Sequence, residues 1–136
     1  MSNLSVIQNI KTVETDPYPY VHTDQALPEK IYKELCETFP EEIVTSTDPF
    51  DNGITYRYKS DLVLNNTNLS QIWQDFFGYH TSKEYFNSCI DLFAKNIEKT
   101  YGKDLVDFLK TSTTTVRNID NSGKSVTDCQ FVVHEP

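Results

Sequence analysis

The side chains with the clearest potential for chemistry form an H-x-D triplet, His22-Thr23-Asp24. On a strand, alternate side chains share a face, so the imidazole and the carboxylate would point to the same side. With His80 or His134 as a third ligand, the triplet would supply the two-histidine, one-carboxylate set that binds non-haem iron. A local interpretation competes, because Asp24 lies just ahead of a predicted helix, where a carboxylate often caps the first turn. We favour the local interpretation, since a three-residue pattern with one variable position arises easily by chance.

The other histidines and the thiols carry weaker signals. His80 lies between two predicted helices, where we expect it to be solvated or to cap a helix end. His134 follows an apolar strand, and we expect it either to serve the pocket of a longer protein or, in this chain alone, to fray. The three cysteines, Cys36, Cys89 and Cys129, are odd in number and widely spaced, which predicts buried, reduced thiols.

Residue spacing argues against several other classes of site. The four glycines are isolated, so they form no glycine-rich phosphate loop, and no CxxC or HxxxH pair offers zinc ligands. With 20 acidic residues in the chain, no single pair of carboxylates stands out. We therefore assign no catalytic, cofactor-binding or metal-ligating residue from the sequence.

Charge and hydropathy limit the partners. The formal net charge of −8 repels phosphate groups, which disfavours nucleic acids and anionic membranes and favours a cationic or uncharged partner. No stretch approaches the ~20 apolar residues of a membrane span, and the first residues lack the basic and apolar regions of a signal peptide. We expect a cytoplasmic protein without nucleic-acid or membrane partners.

Periodicity predicts the elements that must position these groups. Apolar residues recur at intervals of three and four over four segments, which predicts helices at about 28–38, 69–77, 82–101 and 104–110. Ser82 is expected to cap the third helix, and Pro40, Gly78 and Gly102 are expected to end the first three. Runs of β-favouring residues predict strands at 5–15, 18–22, 55–59, 113–117 and 126–133.

The last two predicted strands form either a hairpin or successive strands of one sheet, since a turn-rich segment, 118–123, separates them. Apart from its short strand, the segment 44–66 is predicted to be an exposed excursion. The whole is expected to be one α+β domain spanning residues 1–136, because the length suits a single core and no linker interrupts it. The apolar strand so close to the last residue predicts that the chain is a truncated part of a longer protein.

Several short motifs, in order along the chain, resemble a known family. The first set is Pro17-Tyr18-Pro19-Tyr20-Val21, Ala26-Leu27-Pro28, Tyr32, Leu35 and Phe39-Pro40. It is similar to the opening of Fe(II)- and 2-oxoglutarate-dependent oxygenases of the prolyl-hydroxylase-like kind, in which a strand enters an ALP turn and a helix ending in FP. Near the other end, Thr127-Asp128-Cys129-Gln130, with a proline at 136, resembles the strand that precedes the iron-binding motif in bacterial and phage-type members.

The resemblance implies a double-stranded β-helix, or jelly-roll, to which this chain contributes the N-terminal helices and the first strands, an incomplete fold. It also implies an oxidoreductase, a dioxygenase using iron and 2-oxoglutarate, whose iron ligands and cosubstrate-binding residue would all follow residue 136. The early triplet lies in the wrong place for the family's motif. We thus expect this chain alone to be inactive. The alternative is a non-enzymatic binding or structural protein that keeps the helical half, and an uncovered sheet face predicts self-association.

Overall fold

Helices account for most of the regular structure in the computed structural model, which describes residues 3–50, 53 and 55–134. The described helices are α1 (Glu29–Glu37), α2 (Glu41–Thr45), α3 (Ser60–Asn65), α4 (Gln71–His80), α5 (Lys83–Tyr101) and α6 (Lys103–Thr111). The described strands are β1 (Thr55–Lys59), β2 (Thr114–Val116), β3 (Ser125–Thr127) and β4 (Gln130–His134). This mixture of helix and strand confirms the predicted α+β class.

The strands form two small sheets. β1 and β4 pair antiparallel, with Thr55 opposite His134 and Lys59 opposite Gln130, which joins two distant parts of the chain. β2 and β3 pair parallel, so the hairpin alternative, which requires antiparallel strands, was wrong. The single strand predicted at 126–133 is divided into β3 and β4, which belong to different sheets, so the successive-strand alternative holds for β2 and β3 alone. Two two-stranded sheets do not by themselves define a jelly-roll, and that part of the fold stays a prediction.

The turn between β2 and β3 depends on close backbone approach. Asn118 adopts a left-handed conformation with φ of 64°, a region that Asn tolerates better than most residues. A Cβ atom at Gly123 would lie 2.7 Å from Thr115 Cγ2 and 2.9 Å from the Thr115 backbone nitrogen. Only glycine fits beside Thr115, because any side chain there would displace the first strand of the parallel pair.

The core lies between the β1–β4 sheet and the short helices. Alternation along the strands places the side chains of Tyr58, Phe131 and Val133 on the face that packs against α2, α3 and α4. Phe131 contacts Phe77 of α4 at 4.7 Å between ring centroids, and both rings are almost completely buried. Val44 of α2 and Val63 of α3 complete the cluster at 0% exposure.

The prediction of an exposed excursion over 44–66 was therefore wrong. The predicted strand at 55–59 is present, but α2 and α3 flank it and each inserts a fully buried valine into the core. These helices have five and six residues, too few for a helical period to show in the sequence. Their stability comes from tertiary packing, since isolated helices of this length do not persist in water.

The predicted strands at 5–15 and 18–22 were also wrong. Residues 3–9 form successive turns, and the pairing described in this region is a single antiparallel bridge between Glu14 and Tyr20. β-Branched residues form a strand only when a neighbouring strand is available to pair with them. Here the segment lies beside an irregular part of the chain instead, and the side chains of Gln8 and Asn9 bond to the backbone of Ala26 and Gln25. Residues 3–9 thus pack against the part of the chain that precedes α1.

Helix ends follow the predicted signals, with one exception. The Ser82 hydroxyl accepts a hydrogen bond from the Tyr85 backbone N–H, and α5 ends at Gly102 with φ of 90°, as the sequence predicted. The helix predicted to close at Gly78 continues to His80, with Gly78 inside α4. Glycine weakens a helix only modestly, and the packing of Phe76 against Trp73 and of Phe77 against Phe131 outweighs that cost.

We expect Phe77→Ala to lower the free energy of unfolding by about 3–5 kcal/mol, because it removes a buried ring and leaves a cavity against Phe131. The measurement is urea denaturation followed by circular dichroism. Phe108→Ala is the matched control, since Phe108 is 46% exposed, and it should cost less than about 1 kcal/mol. Equal losses for the two variants would contradict the proposed location of the core.

Candidate functional site

The H-x-D triplet lies on the surface before α1 and outside any strand. His22 Nε2 and Asp24 Oδ1 are 3.6 Å apart, with 75% and 91% of the two side chains exposed. Asp24 does not cap α1, so the capping interpretation was wrong: Pro28 occupies the N-cap position, without a side-chain cap. The Thr23 hydroxyl instead accepts from the Gln25 backbone N–H at 3.3 Å, which holds the turn locally.

Neither distant histidine joins this triplet. Among the described residues, no three side chains of the His, Cys, Asp or Glu type lie close enough together to hold a metal ion. The Nδ1 atom of His80 bonds to the Phe76 carbonyl at 2.8 Å, and that of His134 to the Thr55 hydroxyl at 3.0 Å. The described side chains therefore do not fit the Fe(II) that the family resemblance implies.

His134 ends β4 as part of the sheet. Its Cα partner is Thr55, whose side chain is almost fully buried, and the imidazole hydrogen-bonds to that threonine's hydroxyl. The expectation that His134 frays in this chain was wrong, because cross-strand pairing along all of β1 and the side-chain bond both hold it.

His80 lies in an aromatic cluster with Phe76, Tyr79 and Tyr85. The ring centroids of these residues are 4.0, 5.3 and 4.4 Å from that of His80, respectively. Because the Phe76 carbonyl can only accept, Nδ1 carries the proton in the neutral ring, and Nε2 is buried with no hydrogen-bond partner. Of the two expectations for His80, the solvated histidine was wrong, since burial lowers the pKa of His80 and favours its neutral form. The expected place at a helix end is observed, because His80 is the last residue of α4 and its side chain bonds to a carbonyl of the last turn.

The thiols divide into two groups. Burial raises the pKa of Cys89, and burial together with the Asp128 carboxylate raises the pKa of Cys129 to about 11, so both stay protonated and weakly nucleophilic at neutral pH. Both are free thiols and only half-buried, so the prediction of buried thiols was only partly correct for them. Cys36 is exposed on α1, and its prediction as a buried core residue was wrong. It lies on the apolar stripe of α1, only part of which the rest of the chain covers.

The residues that carry the family resemblance near β4 have structural contacts. The Thr127 hydroxyl donates to the Thr81 carbonyl at 2.7 Å, and the fully buried Ser60 hydroxyl donates to Asp128 Oδ1 at 2.8 Å. Arg117 Nε lies 3.3 Å from the second oxygen of that carboxylate. Asp128 thus links the connection between β3 and β4 to the start of α3 and to the turn after β2.

A concave surface beside α1 is the feature that sequence reasoning missed. We call it the α1 groove; it consists of an apolar trench of about 450 Å³ and an adjoining recess of about 750 Å³ whose lining is partly polar. Tyr32, Phe39 and Trp73 line the trench, and Leu27 and Tyr32 line both parts, so the two parts are neighbours. The apolar stripe of α1 was the available signal, but it predicted a core contact and could not show that its outer side would stay open.

Comparisons of the chain with protein-family models, with curated proteins and with solved structures found no match. Within the part of the chain that the structure describes, no helix combines the length and apolar character needed to cross a membrane.

The environment of His80 predicts a pH dependence of stability. Its folded pKa lies below the ordinary value of 6.5, so the unfolded chain binds more protons between these two values. The contribution of neutral His80 is fully present above pH 6.5 and is lost as the pH falls through that value toward the folded pKa. We expect His80→Phe to flatten this part of the pH profile of the unfolding free energy.

The measurement is urea denaturation at a series of pH values between neutral and mildly acidic. His22→Ala serves as the control, because His22 is largely exposed, and it should leave the shape of the profile unchanged. An unchanged profile in His80→Phe, or a flattened one in His22→Ala, would count against burial of the His80 ring as the cause.

Proposed function

We propose that this chain is the N-terminal portion of an Fe(II)- and 2-oxoglutarate-dependent oxygenase of the prolyl-hydroxylase-like kind. The observation that carries the proposal is the one-sided covering of the β1–β4 sheet. Helices α2, α3 and α4 pack on the face formed by Tyr58, Phe131 and Val133, whereas Val132 on the opposite face is 39% exposed. In a double-stranded β-helix with helices packed outside, one sheet face meets the helices and the other faces a second sheet.

The polarity of the open face suits an enclosed, polar interior. By strand alternation, Arg57, Lys59, Gln130 and His134 share this face with Val132. Thr55 lies on the same face but is only 4% exposed, so the face is open over part of its length. The Arg57 guanidinium lies 4.3 Å from the centre of the Phe50 ring, which holds it against the chain before β1. A second sheet over this face would find hydrogen-bonding groups already in place.

The role of this chain in such an enzyme is to support β4 and to exclude water from its helical side. When bound in the complete enzyme, Fe(II) and 2-oxoglutarate would supply hydroxylation chemistry with dioxygen as the oxidant: one oxygen atom would enter the substrate as a hydroxyl group, and the other would enter the succinate formed from 2-oxoglutarate as carbon dioxide is released. On this proposal the iron ligands follow residue 136, as the family resemblance implies, and no described set of residues fits the metal. The substrate class stays open between a protein, a peptide and a small molecule.

The proposal is tested by comparing two proteins: the 136-residue chain and the longer product that the gene encodes if its reading frame continues past residue 136. Each is titrated anaerobically with Fe(II) and 2-oxoglutarate, and the visible charge-transfer band of the ternary complex is recorded. We expect the band in the longer product and not in the shorter chain. His22→Ala in the longer product should keep the band, since the early triplet is not expected to bind iron.

Three outcomes would overturn the proposal. They are a reading frame that stops after residue 136, a longer product that folds but gives no band, and a band that His22→Ala abolishes. Circular dichroism of each protein separates a missing site from a missing fold. The first outcome would favour the second candidate, a binding or structural protein, which the open α1 groove supports independently. Self-association through the open sheet face stays a prediction.

A further inference from the structure

The apolar trench of the α1 groove is an accessible surface with a firm floor. Leu35 forms part of its lining and is only 5% exposed, so the floor belongs to the packed interior. Tyr32 and Phe39, which also line the trench, are 59% and 39% exposed. None of the described residues that line the trench is charged, and covering it would remove apolar area from water, which favours binding.

Trp73 and Phe76 form the opposite wall, and aromatic contacts hold them in position. The Trp73 ring centroid lies 4.6 Å from that of Phe131 and 5.6 Å from that of Phe76, and Phe39 packs edge-on against Trp73 at 6.0 Å. Because Phe131 is a core residue, this wall is anchored to the sheet. The trench is thus preformed, which lowers the entropic cost of binding.

The adjoining recess has a different chemistry. Its charged lining residues are Asp24 and Glu29, both carboxylates. Lys33 forms an ion pair with Glu29 at 2.8 Å, but both side chains are largely exposed, so the pair is weak. A cationic group of a ligand can therefore replace Lys33 as the partner of Glu29. The bonds from the Gln8 and Asn9 side chains to the chain before α1 fix the far wall of the recess.

Together the two parts match one kind of ligand. We propose that the α1 groove binds a cationic, amphipathic peptide segment of a partner protein, with its apolar side chains in the trench and a lysine or arginine in the recess. Charge complementarity favours this occupant, because the chain carries 20 acidic and 12 basic residues and the recess adds two carboxylates at the end of an apolar surface. A second copy of this acidic chain is a poor occupant for the same reason. The proposal is independent of the oxygenase assignment.

Trp73 supplies a direct probe of occupancy, because it is the one tryptophan of the chain and it lines the trench. The experiment titrates the full chain with a tryptophan-free peptide that carries leucine and lysine at helical spacing, and it records Trp73 emission. We expect a saturable change that weakens as salt is added, since carboxylate–cation pairs are screened. A peptide with glutamate in place of lysine should bind at least about tenfold more weakly, a difference of 1.4 kcal/mol.

Two variants of the groove have matched controls elsewhere on the surface. Tyr32→Ala should raise the dissociation constant by about tenfold, because an exposed aromatic side chain in an apolar groove is a typical binding anchor. Tyr101→Ala, at a 71% exposed tyrosine of α5, should leave the constant unchanged. Glu29→Gln should raise it by about threefold at low salt, whereas Asp104→Asn, also in the first turn of a helix, should not.

Four results would overturn the proposal. They are an absent or non-saturable emission change, equal affinity for the glutamate peptide, equal weakening by the groove variants and their controls, and an emission change that follows protein concentration instead of peptide. The last result would place a second copy of the chain in the groove. All four variants alter exposed side chains, and thermal melts of each protein would verify that the fold is retained.

Discussion

The contact of Phe131 with Phe77 is the interaction on which the rest of the structure depends. It joins a strand at one end of the chain to a helix in its middle, and it buries both rings almost completely. The burial of two such side chains contributes roughly 3–6 kcal/mol, comparable to the net stability of a small domain. Without this contact, β4 would lose a large part of its helical backing, and its pairing with β1 would be weakened.

This contact also explains why the short elements exist. Helices α2 and α3 are too short to persist alone, yet each contributes a fully buried valine next to the aromatic pair. The hydrogen bond from Ser60 to Asp128 joins α3 to the segment before β4, so burial and polar bonding reinforce each other at the same place. The motif around Asp128, which carries part of the family resemblance, thereby has a structural role that needs no metal.

The two proposals rest on opposite sides of the same core. The proposal of an oxygenase portion rests on the open face of the β1–β4 sheet, because helices already cover the other face of that sheet. The α1 groove arises because α1 packs through Leu35, while Tyr32 and Cys36 on the neighbouring positions stay at the surface. The wall formed by Trp73 is held by Phe131, so occupancy of the groove and integrity of the core are physically linked.

The sequence by itself determined the local features whose causes are local. Apolar spacing located α1, α5 and α6, and β-favouring residues located β1. The cap at Ser82 followed from the hydrogen bond that a serine side chain offers to a helix start, and the stop at Gly102 followed from the positive φ that glycine tolerates. Only the tertiary structure decided which strands pair, that α2 and α3 belong to the core, that α4 continues through Gly78, and that the segment before α1 is not a strand. The reason is that pairing and burial depend on residues far apart in the chain, such as Thr55 with His134. The same holds for the candidate sites, because the stripe on α1 showed that a helix face was apolar but not how much of that face another element would cover.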